Sequence, residues 1–433
     1  MLDIKFIRQN EKIVREAVKN KNANLDLDKL LVADERRRHI MQELEQVRAE
    51  QNKRSKGPQS PEELEELKGM KEKIKLLERE LEIVETEFNE LMFQVPNIPT
   101  EDTPLGKSEA DNVVSKQVGK PRDFNFEIKN HWQLAQEINL IDKERAAKVA
   151  GARFAYIKGG LARLQIALIQ FTMDQLTDRK IIKKIIKKND LKVSDKPFIP
   201  VFPPALIKTD IYKATARLNQ QETTYKLEED DLWLNASAEH SLAPMYQNEI
   251  LNELDLPIRY LGYTTAFRRE AGTYGKDMEG ILRMHQFDKL ELESFSTKDT
   301  SFQEHLFFVA IQEYLMQQIE VPYHVLLKCT ADIGFANARG VDIEAWLPGQ
   351  NKYRETHTAD YMTDFQARRL NTRVRRSNNE LEFVHTNDAT AFAMPRTLIS
   401  IIENYQTEKK TIKIPKVLQK YMGGIKEITH AVS

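Results

Sequence analysis

The chain has 433 residues, 41% of them hydrophobic and 30% charged, with a formal net charge of -1. That length suits two or three domains with at least one large core, and the near-neutral balance excludes a uniformly basic nucleic-acid binder, so any such surface must come from local patches. A single cysteine, Cys329, excludes an internal disulfide framework and a multi-cysteine zinc site.

Residues 1 to 10 lack the apolar core of a signal peptide, and no stretch approaches the ~20 apolar residues of a membrane span. The expectation is a soluble cytoplasmic protein without a membrane partner. Residues 1 to 24 read as a short amphipathic helix, with Ile4, Ile7, Ile13 and Val14 apolar and Arg8, Lys12 and Arg15 outward. Beyond Leu25, Leu30, Ala33, Arg37, Ile40, Leu44, Val47, Gln51 and Arg54 alternate spacings of three and four, the seam of a coiled coil. GPQSP at 57–61 breaks it, and Ser60 can cap the next helix. The seam resumes through Met70, Ile74, Leu77, Leu81, Val84, Phe88 and Leu91. Two such helices must fold back as an antiparallel hairpin, with arms on the order of 40 Å long. Basic residues near its tip (Arg48, Lys53, Arg54, Lys56, Lys68, Lys71, Lys73, Lys75) could meet a phosphate backbone, although Glu62, Glu63, Glu65 and Glu66 lie among them. VPNIPTEDTP, ending at Pro104, reads as the linker to a second domain. The organisation expected is therefore a helical domain over 1–104, with its arm at about 27–93, and a second domain over 105–433.

In that second domain a helix from Leu161 to Leu176 should pack on the core. It runs into DRKIIKKIIKKNDLKVSDKPF, where isoleucine pairs alternate with lysine pairs; residues 179–196 read as an insertion whose role is either a solvated amphipathic turn or an extra RNA contact. The densest chemistry lies in YTTAFRREAGTYGKDMEGILRMHQFDKLELESF, from Tyr263 to Phe295. Arg268 and Glu270 stand at strand spacing, which puts their side chains on one face about 6 to 7 Å apart. A glycine-punctuated turn follows, and Arg283, Phe287 and Glu291 then recur every fourth residue of a returning strand. Two arginines, an aromatic ring and carboxylates on one surface suit a nucleotide, since guanidinium forks match phosphate oxygens and a ring can stack on a purine. Cys329 falls in an apolar run that reads as a strand with a buried, inert thiol.

FRRE, the glycine-rich loop and RMHQFDKLE resemble motif 2 of the class II aminoacyl-tRNA synthetases, in the form found in seryl-tRNA synthetases. Pro203 and Pro204 in VFPPALI resemble motif 1, FVHTNDATAFAMPRTLISIIENYQ resembles motif 3, and the helical hairpin resembles that family's tRNA-binding arm. The resemblance runs over essentially the whole chain. It implies an α+β fold, an antiparallel class II sheet with flanking helices behind an N-terminal coiled-coil arm, assembled as a homodimer. The activity it implies is ATP-dependent activation of L-serine with Mg2+, then transfer to tRNA(Ser), with tRNA(Sec) a further family substrate.

The residue roles also follow from the resemblance. Arg268, Glu270 and Arg396 are implied as catalytic. Arg268, Arg269, Glu270, Arg283, Phe287, Glu355, Thr356, His357, Thr358 and Arg396 are implied to bind ATP, with Arg396 stacking on adenine opposite Phe287 and with Glu355 and Thr358 holding the metal. Ser237, Ala238, Glu239, Arg268, Glu291 and Thr390 are implied around serine. Departures stand beside these matches: KATARLNQQ at 213–221 replaces a segment with two glycines, Ser237 a threonine, Thr358 a serine, Asp388 an asparagine and Pro395 a glycine. They keep a second reading open, a non-catalytic paralogue that binds RNA or protein.

Overall fold

The computed structural model describes residues 1–57, 60–218, 224–270 and 279–430. The glycine-punctuated turn of the 263–295 stretch and the last three residues of 213–221 lie outside them. The chain divides into two compact units, Met1–Ile98 and Pro99–Ser433. The boundary falls six residues before the expected one, because Thr100 N and the Thr103 hydroxyl both donate to Ala338 O, at 2.8 and 3.2 Å, and so already belong to the second unit.

In the first unit the expected opening helix is two, α1 (Ile4–Gln9) and α2 (Glu11–Asn20), broken at Asn10. The long pair is α3 (Leu27–Arg54) and α4 (Pro61–Phe93). Asp26 caps α3 by accepting from Lys29 N; Ser60 and Glu63 form a reciprocal capping box on α4, with Pro61 at its first turn. Ile40, Leu44, Val47, Ile74, Leu77, Leu81 and Val84 make the shared seam, as the three-and-four spacing requires. Ion pairs flank it, among them Arg36–Glu80 at 2.7 Å and Arg48–Glu78 at 2.6 Å. Being exposed, each contributes about 0.2–1 kcal/mol and chiefly fixes register.

The second unit is built on an eight-stranded sheet: β1 (Val113–Val118), β2 (Ile199–Val201), β3 (Ile258–Phe267), β4 (Gln286–Ser296), β5 (Tyr323–Leu327), β6 (Arg339–Leu347), β7 (Lys352–Thr363) and β8 (His385–Ala393), in the spatial order β1-β5-β6-β7-β8-β4-β3-β2. Every pairing is antiparallel except β2 with β3. Alternation along β4 decides its two faces. Leu290 and Leu292 join the hydrophobic core with residues of α5 (Gly159–Thr177), α8 (Ser301–Gln318) and α9 (Met394–Asn404), while Phe287, Lys289, Glu291 and Glu293 point the other way. Burying each of the large core side chains contributes roughly 1.5–3 kcal/mol before entropy is counted.

The lysine-rich segment forms α6 (Arg179–Lys188), whose Ile182 and Ile185 are buried in this same core while its lysines stay exposed. It packs on α5 and α8, on the helical face of the sheet. Between β2 and β3 lies the short α7 (Glu239–Leu242), which rests on the opposite face. Cys329 is buried just beyond β5, its thiol donating to Ser108 O at 3.2 Å. No helix among the described residues is long and apolar enough to cross a membrane.

Candidate active site

A glycine brings the two halves of the site together. Gly262 sits opposite Glu291 in the β3–β4 register, and a Cβ there would lie 2.8 Å from Leu242 Cδ1 and 3.1 Å from Ala238 Cβ. Without that side chain, the turn into α7 lies flat on the sheet and delivers Ser237 and Glu239 beside β4. The Ser237 hydroxyl then bonds Glu291, whose other oxygen takes Lys289 Nζ at 2.7 Å and the Thr390 hydroxyl at 3.4 Å. Thr390 reaches it directly, because Thr390 and Glu291 are register partners on β8 and β4. Burial pushes the Glu291 carboxyl up, opposed by Lys289 and reinforced by Glu239.

Beside this knot lies a row of acids. Asp360 faces Asp388 across β7–β8, and Asp388 faces Glu293 across β8–β4. One cation enters among them. Arg217 NH2 donates to Asp388 Oδ2 at 2.7 Å and lies 3.5 Å from Asp360 Oδ2, while its Nε lies 3.0 Å from Glu239 Oε1. Burial opposes charge on Glu239, but Arg217 prevails and holds this carboxyl well below the usual range. Asp388 and Glu293 go the other way: burial drives both well above it, helped by Glu239 for the first and by Asp388 for the second.

The remaining part of the cavity is cationic and aromatic. β3 ends at Phe267, so Arg268 and Glu270 do not share a strand face as the spacing predicted. Arg268 N still donates to His285 O at 2.9 Å, but Glu270 turns into the left-handed region, φ 50°, with Arg153 bonding its carbonyl at 2.9 Å. Both side chains nevertheless line the cavity. The Arg268 guanidinium lies 5.3 Å from the centre of the Phe287 ring, and Arg283 pairs with Glu270 at 3.2 Å. Arg283 itself precedes β4, and only Phe287 and Glu291 stand on the returning strand. Across the cavity Arg396, in the first turn of α9, pairs with Glu355 at 3.1 Å and donates to its backbone carbonyl at 2.9 Å. Pro395 sits comfortably in that turn. Partial desolvation alone would raise Glu355, whose side chain is 46% exposed, but Arg396 and then Lys328 bring its carboxyl down to about 2. The Thr358 hydroxyl bonds Asp342 at 2.8 Å and Glu355 at 3.3 Å.

Fifteen residues were expected in the site, and the structure distributes them unequally. Glu239, Arg268, Glu270, Arg283, Phe287, Glu291, Glu355, Thr356, Thr358, Thr390 and Arg396 line one cavity. Ser237 lies beneath it on Glu291. Ala238 is wholly buried against Gly262 and contributes only backbone. Arg269 turns to the Tyr225 ring, 5.7 Å away. His357 needs correction as a nucleotide ligand. A bulge opposite Ile343 and Glu344 leaves its ring on the core side of β7, buried against Phe392, where burial lowers its pKa to about 3 and keeps it neutral.

Missed from the sequence were Lys289, Asp360 and Arg217. Strand alternation gives the first two, at two residues from Glu291 and from Thr358. Arg217 carries no local signal, since its partners lie 22, 143 and 171 residues away.

A metal held by protein alone does not fit this cavity: among the described residues no group of three His, Cys, Asp or Glu could hold one. An ionised Glu355 with the Thr358 hydroxyl beside it does fit a divalent cation completed by substrate phosphates.

This geometry belongs to a known architecture. The seryl-tRNA synthetase N-terminal domain matches residues 1–99, and the class II tRNA synthetase core domain (G, H, P, S and T) matches residues 223–405. The serine–tRNA ligase of Symbiobacterium thermophilum is 39% identical over 430 residues, covering 97% of this chain and 98% of its own. The crystal structure of seryl-tRNA synthetase from Pyrococcus horikoshii complexed with ATP superimposes with a TM-score of 0.90 at 36% identity, over 100% of both chains. The cytoplasmic serine–tRNA ligase from Naegleria fowleri, in complex with AMP, gives 0.86 at 30% identity, over 100% of this chain and 99% of that one. With similarity of this extent along its whole length and an antiparallel sheet carrying the motif residues around one cavity, the chain belongs to the seryl-tRNA synthetase family of class II aminoacyl-tRNA synthetases.

Proposed function

We propose that this chain is an ATP-dependent serine–tRNA ligase. The observation that carries the reading is the polarity of one cavity: an acidic part at Glu239 and Glu291 joins a part lined by Arg268, Arg283, Arg396 and Phe287. An amino acid and a nucleotide triphosphate have those complementary ends. Glu239 receives the ammonium group, and the knot of Glu291, Ser237 and Thr390 receives the serine hydroxyl. Arg268, between the two parts, holds the serine carboxylate against the α-phosphorus, Arg283 takes the distal phosphates, and Glu270 meets the adenine edge. Adenine lies between Phe287 and Arg396.

Serine's carboxylate oxygen attacks the α-phosphorus as pyrophosphate leaves, giving seryl-adenylate; the 3'-terminal adenosine hydroxyl of tRNA(Ser) then takes the seryl group and releases AMP. The protein's part is alignment of the reactants and neutralisation of the charge that develops. Mg2+, held at Glu355 and Thr358, supplies charge neutralisation on the phosphates. A complete nucleotide end, with Glu355 kept ionised by Arg396, disfavours the reading as a non-catalytic paralogue.

Two wider features belong to the same proposal. The chain works in the cytoplasm, where a single buried thiol has no need of an oxidising compartment. It works as a homodimer through the motif 1 segment: β2 is an edge strand, and Ile199, Phe202 and Leu206 are exposed around it. The test of activity is pyrophosphate exchange into ATP with serine, threonine, alanine and glycine side by side. Exchange with serine alone is expected; a folded protein that exchanges with none of them defeats the proposal.

A further inference from the structure

Two departures from the family pattern, far apart in sequence, meet in one ion pair. The segment 213–221, without its usual glycines, supplies Arg217, and the motif 3 strand supplies Asp388 where asparagine is usual. Their contact at 2.7 Å is partly buried, with side-chain exposures of 18% and 5%. Asp388 without Arg217 would be a carboxyl pressed between Asp360 and Glu293, its register partners on both sides. Arg217 without Asp388 would lose the one hydrogen bond its guanidinium makes within this acidic row.

The third partner gives the pair a task. Arg217 and His240 both approach Glu239 at Oε1, at 3.0 and 3.4 Å, and Glu239 lines the cavity. Arg217 and His240 therefore hold this carboxylate from one oxygen, on a residue that lines the cavity. We propose that Arg217 and Asp388 are a compensated pair of positioning residues, which aims Glu239 at the amino group of the substrate and so sets the affinity for the amino acid but not for the nucleotide. This rests on the reading of Glu239 as the ammonium acceptor.

The test is a double-substitution cycle on the full-length protein: wild type, Arg217→Ala, Asp388→Asn and the two combined, with serine and ATP titrated separately in pyrophosphate exchange. Arg217→Ala is expected to raise the serine KM at least about tenfold while the ATP KM moves less than about twofold. Asp388→Asn alone should also raise the serine KM, because it strands Arg217. The combined variant removes the stranded arginine together with its acid and leaves Glu239 unaimed as Arg217→Ala does, so its serine KM is expected to be no higher than that of Arg217→Ala. Arg217→Lys, retaining the charge, should lose less than Arg217→Ala. Additive effects in the combined variant overturn the proposal, as does an equal rise in the ATP KM. Absence of exchange by the wild type with every amino acid would instead defeat the assigned activity. The pair is then decided by thermal melting of the same four proteins, where recovery in the combined variant supports it and additivity overturns it.

Discussion

Glu291 gathers Ser237, Lys289 and Thr390 around one carboxylate, and removing it exposes how the site selects. Glu291→Ala leaves the Lys289 ammonium and the Ser237 and Thr390 hydroxyls facing a void. A site whose buried polar groups are satisfied by a substrate hydroxyl rejects the analogue that lacks one, so this variant is expected to lower kcat/KM for serine by about 100-fold or more and to narrow the gap between serine and alanine. Unaltered discrimination in pyrophosphate exchange would remove Glu291 from this role. At the nucleotide end, Arg396→Ala should mainly raise the ATP KM and should also move its pH dependence. The Glu355 carboxyl lies at about 2, below its ordinary 4.5, so its contribution is complete above 4.5 and fades as the pH falls through about 2. Removing Arg396, the chief influence lowering it, lets that carboxyl rise, and the acid decline of ATP binding should then begin at higher pH in the variant. Comparing both proteins at each pH cancels the titration of ATP itself; superimposable curves would argue against the pairing. The motif arginines and carboxylates were legible in the sequence because each is tied to a pattern of neighbours. Arg217 was not, because only the folded chain brings it to Asp388 and Glu239.

At the level of elements, one glycine decides how a loop meets the sheet. Gly262 on β3 gives the turn before α7 room to lie against the strands, and an added methyl would meet Leu242 and Ala238 well inside contact distance. Gly262→Ala must shift the segment bearing Ser237 and Glu239 by a few tenths of an ångström or more, and such shifts at a reacting centre cost far more in rate than in stability. The expected outcome is a serine KM raised about tenfold, with nearly unchanged ATP KM and a melting temperature lowered by only a few degrees. A variant indistinguishable from wild type in serine KM would show that the turn adapts. Nothing in the sequence marks Gly262 as different from other strand glycines, since the need arises from α7, which packs over it. The lysine-rich segment shows the opposite case. Its isoleucine pairs announce an amphipathic helix, and α6 buries Ile182 and Ile185 as that pattern demands. Left undecided by the pattern was what the apolar face would meet: it meets the main core through α5 and α8, which accounts for the isoleucines without any partner.

For the molecule as a whole, every residue lining the cavity belongs to the unit that begins at Pro99, whereas the hairpin belongs to the unit that ends at Ile98. The heptad spacing revealed that hairpin in the sequence almost residue by residue, since a seam is a local pattern; the boundary was misplaced because the hydrogen bonds of Thr100 and Thr103 to Ala338 are not. Chemistry confined to one unit and an arm confined to the other predict that the two steps of the reaction can be separated. Several basic residues of the arm are already committed to carboxylates, including Arg48 to Glu78, Lys68 to Glu65 and Lys73 to Glu43. Lys53 on α3, Lys56 just beyond its end, and Lys71 and Lys75 on α4 are exposed. If these four meet the phosphate backbone of tRNA, replacing all of them with glutamate should raise the tRNA KM in aminoacylation at least about tenfold and flatten the dependence of tRNA binding on log salt by up to about 3 units. Serine-dependent pyrophosphate exchange, which needs no tRNA, should be unchanged in the same protein. A tRNA KM that stays at the wild-type value would place RNA recognition elsewhere on the molecule. A parallel loss of exchange would show that the arm supports the fold of the catalytic unit as well as its partner.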